Sequence, residues 1–379
     1  MTDKGEINKI SAICLLRIKR LISCLNRKNL DNYIVLKDEN IFYLTGFYGK
    51  DSNSIFIISP EKSYLLVNFI YLEEAKKAIT DPKIEIILYK KNRFKKLVEI
   101  LKGLNSGSAG IEAAQVDHVS YVKLENMLGK IGNKLTYKHG LVEDLRMIKD
   151  DSEIKDIKKA CKITDNIFQN FLGSTSGDMS KLNELEIAIE LEKMLIQKGG
   201  NGRSFDFVIA SGPGSSMPHY ISSHKKLKNG ILLMDFGTVY KNYCSDITRT
   251  VFIGNGSPND KLMKIYDIVL KAQQKAIEAC KEGLTCGELD NKARKYINDM
   301  GYGEEFGHGL GHGVGLEVHE GPTVTKNNKT ILKENMVITI EPGIYIPGLG
   351  GIRIEDMLVV KKNGCENLYN SKKEFTILP

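Results

Sequence analysis

The chain has 379 residues, of which 42% are hydrophobic and 27% charged, so it can bury a sizeable core and we expect two globular domains. No apolar run approaches the roughly 18 residues of a membrane helix, which argues against a membrane-spanning protein. The net charge of +7 comes from lysines spread along the chain. Their clusters lack interleaved aromatic residues, which favours a solvated surface over a nucleic-acid-binding face.

The first 29 residues interleave charges with apolar residues at helical spacing, which predicts an amphipathic helix at 7–28 and not a signal peptide. The seven cysteines are scattered and form no CxxC pair, a pattern typical of free thiols in a reducing compartment. We therefore expect a cytoplasmic protein whose partners are neither nucleic acid nor membrane.

Short β-type runs alternate with helical patterns over residues 1–135, which predicts an α/β domain. Its predicted strands are 32–36, 54–59, 63–67 and 84–89, and its further predicted helices are 70–80, 92–103 and 117–130. The only histidine of this domain is His118, so we expect no metal cluster there. A charged linker is predicted at 136–155.

The remaining residues, 156–379, combine long helices with separate strands, which indicates an α+β domain. Predicted helices are 151–172, 183–198, 258–281 and one that starts at Thr285, and predicted strands are 204–210, 231–238, 244–253, 335–341 and 351–360. Asn183 with Glu186, and Thr285 with Glu288, have the spacing of helix capping boxes.

Five residues of metal-ligand type follow one another in this second domain, each in its own apolar or glycine-rich frame. They are Asp235 in LLMDFG, Asp246 in YCSDIT, His312 in GHGLGHGVG, Glu341 in ITIEPG and Glu355 in GIRIEDM. Four carboxylates and one imidazole form the oxygen-rich ligand set that two divalent cations need. Such a pair activates a water molecule for hydrolysis.

Asp235 ends an apolar run, Asp246 opens the next one, and Lys241-Asn242 between them is suited to a tight turn. A hairpin here would place the two carboxylates opposite or nearly opposite each other on one face. Two surface aspartates that flank a turn are the alternative.

The segment GHGLGHGVGLEVHEGP at 307–322 contains His308, His312 and His319. Its glycines allow the backbone to approach a ligand or a neighbouring strand closely. No GK[ST] follows, which argues against a phosphate-binding loop. Ordinary core or surface histidines are the alternative for any one of the three.

Strand alternation in GIRIEDMLVV places Arg353 and Glu355 on the same face of a segment that otherwise looks buried. Charged groups in that position need partners. We expect a metal ion for Glu355 and a carboxylate for Arg353, with a plain buried salt bridge as the alternative.

With these motifs in this order, the chain resembles the metallopeptidases of the pita-bread fold, in particular the Xaa-Pro branch of aminopeptidase P and prolidase. The segment NIFYLTGF at 40–47 is similar to the creatinase-type N-terminal domain. The resemblance implies an α/β N-terminal domain followed by an α+β pita-bread catalytic domain.

The resemblance also implies a role for each ligand. Asp235 would bind one metal with both oxygens, Asp246 and Glu355 would bridge the two metals, and His312 and Glu341 would complete the second. Family members commonly use two manganese ions per subunit, sometimes cobalt or zinc, and are usually homodimers.

Outside the ligand set, the resemblance implies that His308 and His319 contact the substrate and stabilise the tetrahedral intermediate. His219 matches a histidine that lies outside the ligands, before the first ligand strand, and either it or His319 would stabilise the developing oxyanion. Tyr345 and Arg353 match a network around the first ligand aspartate. Glu341 would also shuttle the proton. The implied reaction is that of an Xaa-Pro aminopeptidase on peptides with proline in second position. The alternative is an Xaa-Pro dipeptidase (prolidase), and a more distant one is a non-catalytic peptide-binding module of the same fold.

Overall fold

A computed structural model of the protein describes residues 4–104, 107–174, 179–254 and 259–378. The chain divides into two compact units, Met1–Arg146 and Met147–Pro379, and each has its own hydrophobic core. Among the described residues, no helix combines the length and apolar character needed to cross a membrane.

The first unit is an α/β domain around one six-stranded sheet in the order β4-β3-β2-β1-β5-β6. Its strands are β1 Asn32–Val35, β2 Ile55–Ile58, β3 Ser63–Val67, β4 Ile84–Leu88, β5 Ser108–Glu112 and β6 Lys134–Lys138. Its helices are α1 Lys4–Arg27, α2 Asp38–Thr45, α3 Leu72–Ala78, α4 Arg93–Gly103, α5 His118–Gly129 and α6 Glu143–Arg146. The pairs β1–β2 and β2–β3 are antiparallel, and the others are parallel.

All the strands and helices predicted for this unit are present, with ends that shift by a few residues, but the sequence missed α2, β5 and β6. The missed α2 contains the β-type residues IFYLT, which hide its helical character. It ends at Gly46, whose backbone has a φ of 75° and whose N–H donates to Phe42, a common way to end a helix. The residues predicted as a linker, 136–155, include α6 and the point where the two units divide.

The second unit combines four long helices with several small sheets. Its helices are α7 Asp151–Ser174, α8 Glu184–Gln197, α9 Asp260–Ala279 and α10 Cys286–Asp299. Its strands are β7 Val208–Ser211, β8 Gly230–Phe236, β9 Val239–Tyr240, β10 Tyr243–Cys244, β11 Ile247–Ile253, β12 Gly311–Gly313, β13 Glu320–Val324, β14 Val337–Ile340, β15 Gly343–Ile346, β16 Gly350–Arg353, β17 Asp356–Lys361, β18 Gly364–Asn367 and β19 Ile377–Leu378. The two main sheets have the orders β19-β11-β8-β7 and β13-β12-β14-β17-β18.

The predicted helix starts of this unit agree with the structure where it is described. Both predicted capping boxes are present, with reciprocal hydrogen bonds between side chain and backbone at the starts of α8 and α10. Helix α9 begins at Asp260 with Asn259 as its cap, and Pro258, where the sequence placed its start, lies outside the described residues.

The predicted hairpin between Asp235 and Asp246 is confirmed. β8 pairs with β11 in antiparallel fashion, with Asp235 opposite Thr248, so Asp246 lies diagonally across from Asp235. Lys241 and Asn242 have φ values of 48° and 71°, as the tight turn requires. The predicted strand 244–253 is interrupted at Ser245 and Asp246, since β11 begins at Ile247.

The prediction of one continuous strand at 351–360 was wrong. β16 pairs with β15, whereas β17 pairs with β14 and β18 in a different sheet. The chain changes sheets at Ile354 and Glu355. Residues 350–360 are all buried, and the alternation of apolar and charged residues at 352–355 continues across the change, so the sequence pattern did not mark it.

Candidate metal centre

Five side chains, from strands or from residues next to strands, converge where the two main sheets of the second unit meet. Asp235 lies in β8 and Asp246 just before β11, both in one sheet. His312 is the middle residue of β12, and Glu341 directly follows β14, both in the other sheet. Glu355 lies at the change between β16 and β17.

The distances between these side chains are short enough for them to hold a metal ion together. One ligand atom from each of Asp246, His312 and Glu355 lies within 4.8 Å of the others. His312 Nε2 is 3.2 Å from Glu341 Oε1 and 3.6 Å from Asp246 Oδ2. Asp235 lines the same cavity as these four side chains.

The carboxylates in this cluster lack partners that a cation would supply. Asp235 Oδ1, Asp246 Oδ1 and Glu355 Oε1 are buried without any hydrogen bond. Burial and the neighbouring negative charges raise the pKa of Asp246 and of Glu355 well above their usual range. Leaving buried carboxylates unpaired is costly, whereas divalent cations would neutralise them and fill the open lone pairs. The residues therefore fit a site for divalent metal ions.

Glu341 and His312 interact as a charged pair. Burial opposes ionisation of Glu341, but the hydrogen bond and positive charge of His312 lower the pKa of Glu341 to about 2. Burial also opposes a charge on His312, and Glu341 overcomes this and raises the pKa of His312. Because a metal ion needs the neutral imidazole, metal binding here has to displace the proton between the two side chains.

Two threonine hydroxyls, which the sequence reasoning missed, orient the candidate ligands. Thr339 Oγ1 accepts a hydrogen bond from the backbone N–H of His312 at 3.0 Å and donates one to Glu341 Oε1 at 3.2 Å. Thr248 Oγ1 donates to Glu355 Oε2 at 2.6 Å. Each threonine lies two positions from a ligand, Thr339 before Glu341 and Thr248 after Asp246. A search for polar residues at that spacing would have found both.

We expect Thr339→Val to weaken metal binding by about 10–100-fold, because the variant keeps the side-chain volume and loses the hydroxyl that orients Glu341. Titration against a competing chelator measures this affinity. Thr45→Val is the matched control, since Thr45 is also buried and, like Thr339, loses two hydrogen bonds, to the Ile41 carbonyl oxygen and from the Phe47 N–H in the first unit. Equal metal affinity in the Thr339 variant and the wild type would contradict the assigned role.

Arg353 connects the metal-ligand cluster to a histidine. Its Nη2 donates to Asp235 Oδ2 at 2.6 Å, and its Nη1 donates to the Tyr345 hydroxyl at 2.9 Å. That hydroxyl lies 3.0 Å from His308 Nε2. The carboxylate partner that the sequence analysis expected for Arg353 is therefore Asp235, and Tyr345 belongs to the same network.

A cavity of about 390 Å³ opens onto the cluster. Apart from the candidate ligand His312, the cavity wall contains the three other histidines that the sequence analysis singled out, which are His219, His308 and His319. The rings of His312 and His319 are 4.4 Å apart and steeply inclined. Burial lowers the pKa of His308 and of His319, so both imidazoles are neutral near pH 7. A neutral imidazole has one N–H, and that of His308 is donated to the carbonyl oxygen of Gly309 at 2.7 Å.

An ion pair on α10, also missed from the sequence, fixes the backbone on both sides of His308. Arg294 pairs with Asp290 and donates to the carbonyl oxygens of Phe306 at 3.0 Å and His308 at 2.7 Å. Asp290 Oδ1 accepts from the Leu310 N–H at 3.1 Å. These contacts join residues far apart in sequence, so no local pattern marks them.

The glycines around His312 allow β12 to pack between its neighbours. A Cβ atom at Gly311 would collide with the carbonyl oxygen of Thr339, and one at Gly313 with that of Gly321. The prediction that these glycines serve a close backbone approach is confirmed.

Known protein families and relatives match nearly the whole chain. The model of metallopeptidase family M24 matches residues 155–362, and that of the creatinase/prolidase N-terminal domain matches residues 17–148. The chain is 39% identical to the Xaa-Pro dipeptidase of Pyrococcus furiosus over 361 residues, which cover 94% of this chain and 99% of the relative.

Solved structures of similar proteins agree with the fold. A structure of an Xaa-Pro dipeptidase from Bacillus anthracis has a TM-score of 0.90 and 37% identity, covering 96% of this chain and 100% of its own. A structure of an X-Pro aminopeptidase from Thermotoga maritima has a TM-score of 0.85 and 35% identity, covering 95% of this chain and 99% of its own.

Proposed function

We propose that this chain, which belongs to metallopeptidase family M24, is an Xaa-Pro dipeptidase that hydrolyses the bond between an N-terminal residue and proline. The observation that carries the proposal is the convergence of buried carboxylates with unpaired oxygens at a cavity lined by histidines. Sequence reasoning alone favoured an Xaa-Pro aminopeptidase, with the dipeptidase as alternative. The relatives support the dipeptidase better, since two named Xaa-Pro dipeptidases are 39% and 40% identical over 94% of the chain.

The candidate ligands divide between two divalent metal ions per subunit. Asp235 would bind the first ion, His312 and Glu341 the second, and Asp246 and Glu355 both. When bound, the ions supply activation of a water molecule and neutralisation of the charge that develops in the transition state.

Glu341 is suited to move the proton. Its carboxylate lines the cavity and accepts a hydrogen bond from Thr339, and beside divalent cations it would stay ionised and able to accept a proton. It would take a proton from the attacking water and deliver it to the departing proline nitrogen. The amide nitrogen of an Xaa-Pro bond carries no hydrogen, so this delivered proton produces the free imino group.

His308 and His319 line the cavity and are placed to contact the substrate. Both are neutral near pH 7 because burial lowers their pKa values. The neutral imidazole of His319 can donate a hydrogen bond to the developing oxyanion without adding a charge that would repel the metal ions. The neutral ring of His308 donates from Nδ1 to the Gly309 carbonyl oxygen and accepts at Nε2 from the Tyr345 hydroxyl, so its contact with the substrate is through the ring. His219, at the mouth of the same cavity, completes the set of candidate substrate contacts.

The non-catalytic alternative has less support. A peptide-binding module of this fold has no need for unpaired buried carboxylates, and such proteins typically lose ligand positions. All five candidate ligands are retained here, and their side chains converge.

We further propose manganese as the native metal, with cobalt or zinc as alternatives, because four of the five candidate ligands are oxygen donors. The family resemblance supports a homodimer, and the seven free cysteines support a cytoplasmic location, where thiols stay reduced. Inductively coupled plasma mass spectrometry and light scattering would measure the metal and the subunit number.

We expect the manganese-loaded protein to hydrolyse Ala-Pro with a kcat/KM at least about tenfold above that for Ala-Pro-Ala. If the site pairs with the free carboxylate of a dipeptide, a substrate with a residue after proline loses roughly 1–3 kcal/mol of interaction free energy. Side-by-side rates measure the ratio, and Ala-Ala is the control for proline specificity. Preference for the tripeptide would favour the aminopeptidase, and equal cleavage of Ala-Ala would contradict an Xaa-Pro peptidase.

A further inference from the structure

Glu184, the first residue of α8, is a carboxylate buried outside the candidate metal centre. Its exposed fraction is 0%, which is unusual for a glutamate. It is neither one of the five candidate ligands nor part of the cavity wall. A carboxylate in such a position needs donors for both of its oxygens.

Glu184 accepts five hydrogen bonds, all from neutral donors. Oε1 accepts from the N–H and the hydroxyl of Ser211, at 2.9 and 2.7 Å. Oε2 accepts from the Tyr220 hydroxyl at 2.9 Å and from the N–H and hydroxyl of Ser223, at 3.1 and 2.9 Å. The carboxylate therefore ties the end of β7 and the segment 220–223 to the start of α8.

These contacts hold the segment that carries His219. Tyr220 directly follows His219, and Ser223 lies four positions beyond it. Residues 217–223 form neither helix nor strand, yet Pro218 and His219 line the cavity. A segment without regular structure depends on such anchors for a fixed position.

Packing alone does not hold this segment. Its large apolar side chains point to solvent, with exposed fractions of 52% for Met217 and 87% for Ile221. Since these side chains bury little surface, hydrogen bonds have to restrain the position of His219. Glu184 accepts hydrogen bonds from Tyr220 and Ser223. Ser222 adds hydrogen bonds with Ile209 in β7 and with Phe207, which precedes that strand.

We propose that Glu184 is a positioning residue for His219, whose imidazole it holds at the cavity wall for contact with the substrate. The proposal rests on the proposed peptidase function. Glu184 accepts no hydrogen bond from any of the five candidate ligands, so it acts on the substrate step and leaves metal binding unchanged.

Glu184→Gln tests this directly, because the amide keeps the volume and replaces one acceptor oxygen with a group that repels N–H and O–H donors. We expect kcat/KM for Ala-Pro to fall at least about tenfold, as for loss of interactions worth about 1.4 kcal/mol, with an unchanged number of metal ions per subunit. Hydrogen exchange of the amides in 217–223 should accelerate at least about tenfold in the metal-free protein.

Glu186→Gln is the matched control. Glu186 lies in the same first turn of α8, is exposed, and belongs to the capping box with Asn183. Its replacement weakens the helix start without touching the His219 segment, so kcat/KM and the exchange of 217–223 should stay at wild-type values. An equal loss in both variants would show that general damage to α8 explains the effect, and would overturn the proposal.

A double-mutant cycle with His219→Ala separates positioning from a structural role. If Glu184 acts through His219, the double variant loses no more kcat/KM than His219→Ala alone, whereas multiplying losses would overturn the proposal. Should Glu184→Gln fail to fold, Tyr220→Phe and Ser223→Ala each remove one hydroxyl donor, and both should lower kcat/KM and speed exchange. No change in either would overturn the proposal.

The two proposals fail in different ways. Wild-type protein that is loaded with metal and does not cleave Ala-Pro would refute the peptidase assignment. Amide exchange in 217–223 that is the same in the wild type and in Glu184→Gln would refute the role of Glu184, whatever the activity.

Discussion

Replacement of Asp246 by asparagine is expected to abolish hydrolysis of Ala-Pro, with kcat/KM reduced by at least about 10³-fold. Removal of one donor that stabilises an oxyanion costs about 10²–10³-fold in other enzymes, and a carboxylate shared by two metal ions contributes more than one such donor. Steady-state kinetics of the manganese-loaded variant measures the loss. The exposed Asp267 on α9 supplies the control variant Asp267→Asn, which should keep wild-type activity.

The same substitution should not destabilise the metal-free protein. Burial and the neighbouring carboxylates raise the pKa of Asp246 well above its usual range, so at pH 7 its ionisation disfavours the folded state. Asparagine removes that charge and keeps the shape, so the free energy of unfolding at pH 7 should equal or exceed that of the metal-free wild type. Lost activity that is accompanied by lost stability would indicate misfolding, and would contradict a catalytic role.

Metal loading is expected to raise the unfolding temperature of the second unit strongly. A metal ion that binds only the folded state adds about 2.7 kcal/mol per site to the free energy of unfolding at a free metal concentration of 100 times Kd. For a unit of this size, each kcal/mol raises Tm by roughly 2–4 °C, so one filled site should add about 5–10 °C and two sites more. Calorimetry with and without a chelator measures the shift.

The first unit is the internal control for this measurement. It contributes none of the five candidate ligands, so a separate transition of that unit should stay at the same temperature. Asp246→Asn should also reduce the shift of the second transition. A shift of equal size in that variant would mean that the metal binds elsewhere.

The candidate ligands could be found from sequence because each lies in a frame that is informative by itself. Asp235 ends an apolar run, and Pro342-Gly343 ends the strand after Glu341. The glycines that flank His312 indicated a tightly packed strand, and the structure shows neighbouring carbonyl oxygens where their side chains would be. The hairpin was likewise predictable from its turn residues.

The remaining features depend on contacts between segments far apart in the chain. Arg294 holds the carbonyl of His308, and Glu184 holds Ser211 and Ser223. The spacing of neighbouring residues in the sequence cannot predict such pairs. The change of sheets at Ile354 was hidden for another reason, since the residues on both sides of it are buried and the alternation at 352–355 runs through it.

The unpaired carboxylate oxygens of the cluster lower the stability of the metal-free fold. Asp246 and Glu355 both ionise with difficulty where they are, because of burial and their negative neighbours. A core designed only for stability would not place them together. Their convergence is therefore best explained by the cations that they would hold.

Anomalous diffraction from crystals of the manganese-loaded protein tests the central claim most directly. We predict two manganese peaks roughly 3.5–4 Å apart, with Asp246 and Glu355 in contact with both, and His312 in contact with one. A single peak, or peaks away from these side chains in fully loaded crystals, would contradict the dinuclear centre and the proposed hydrolysis with it.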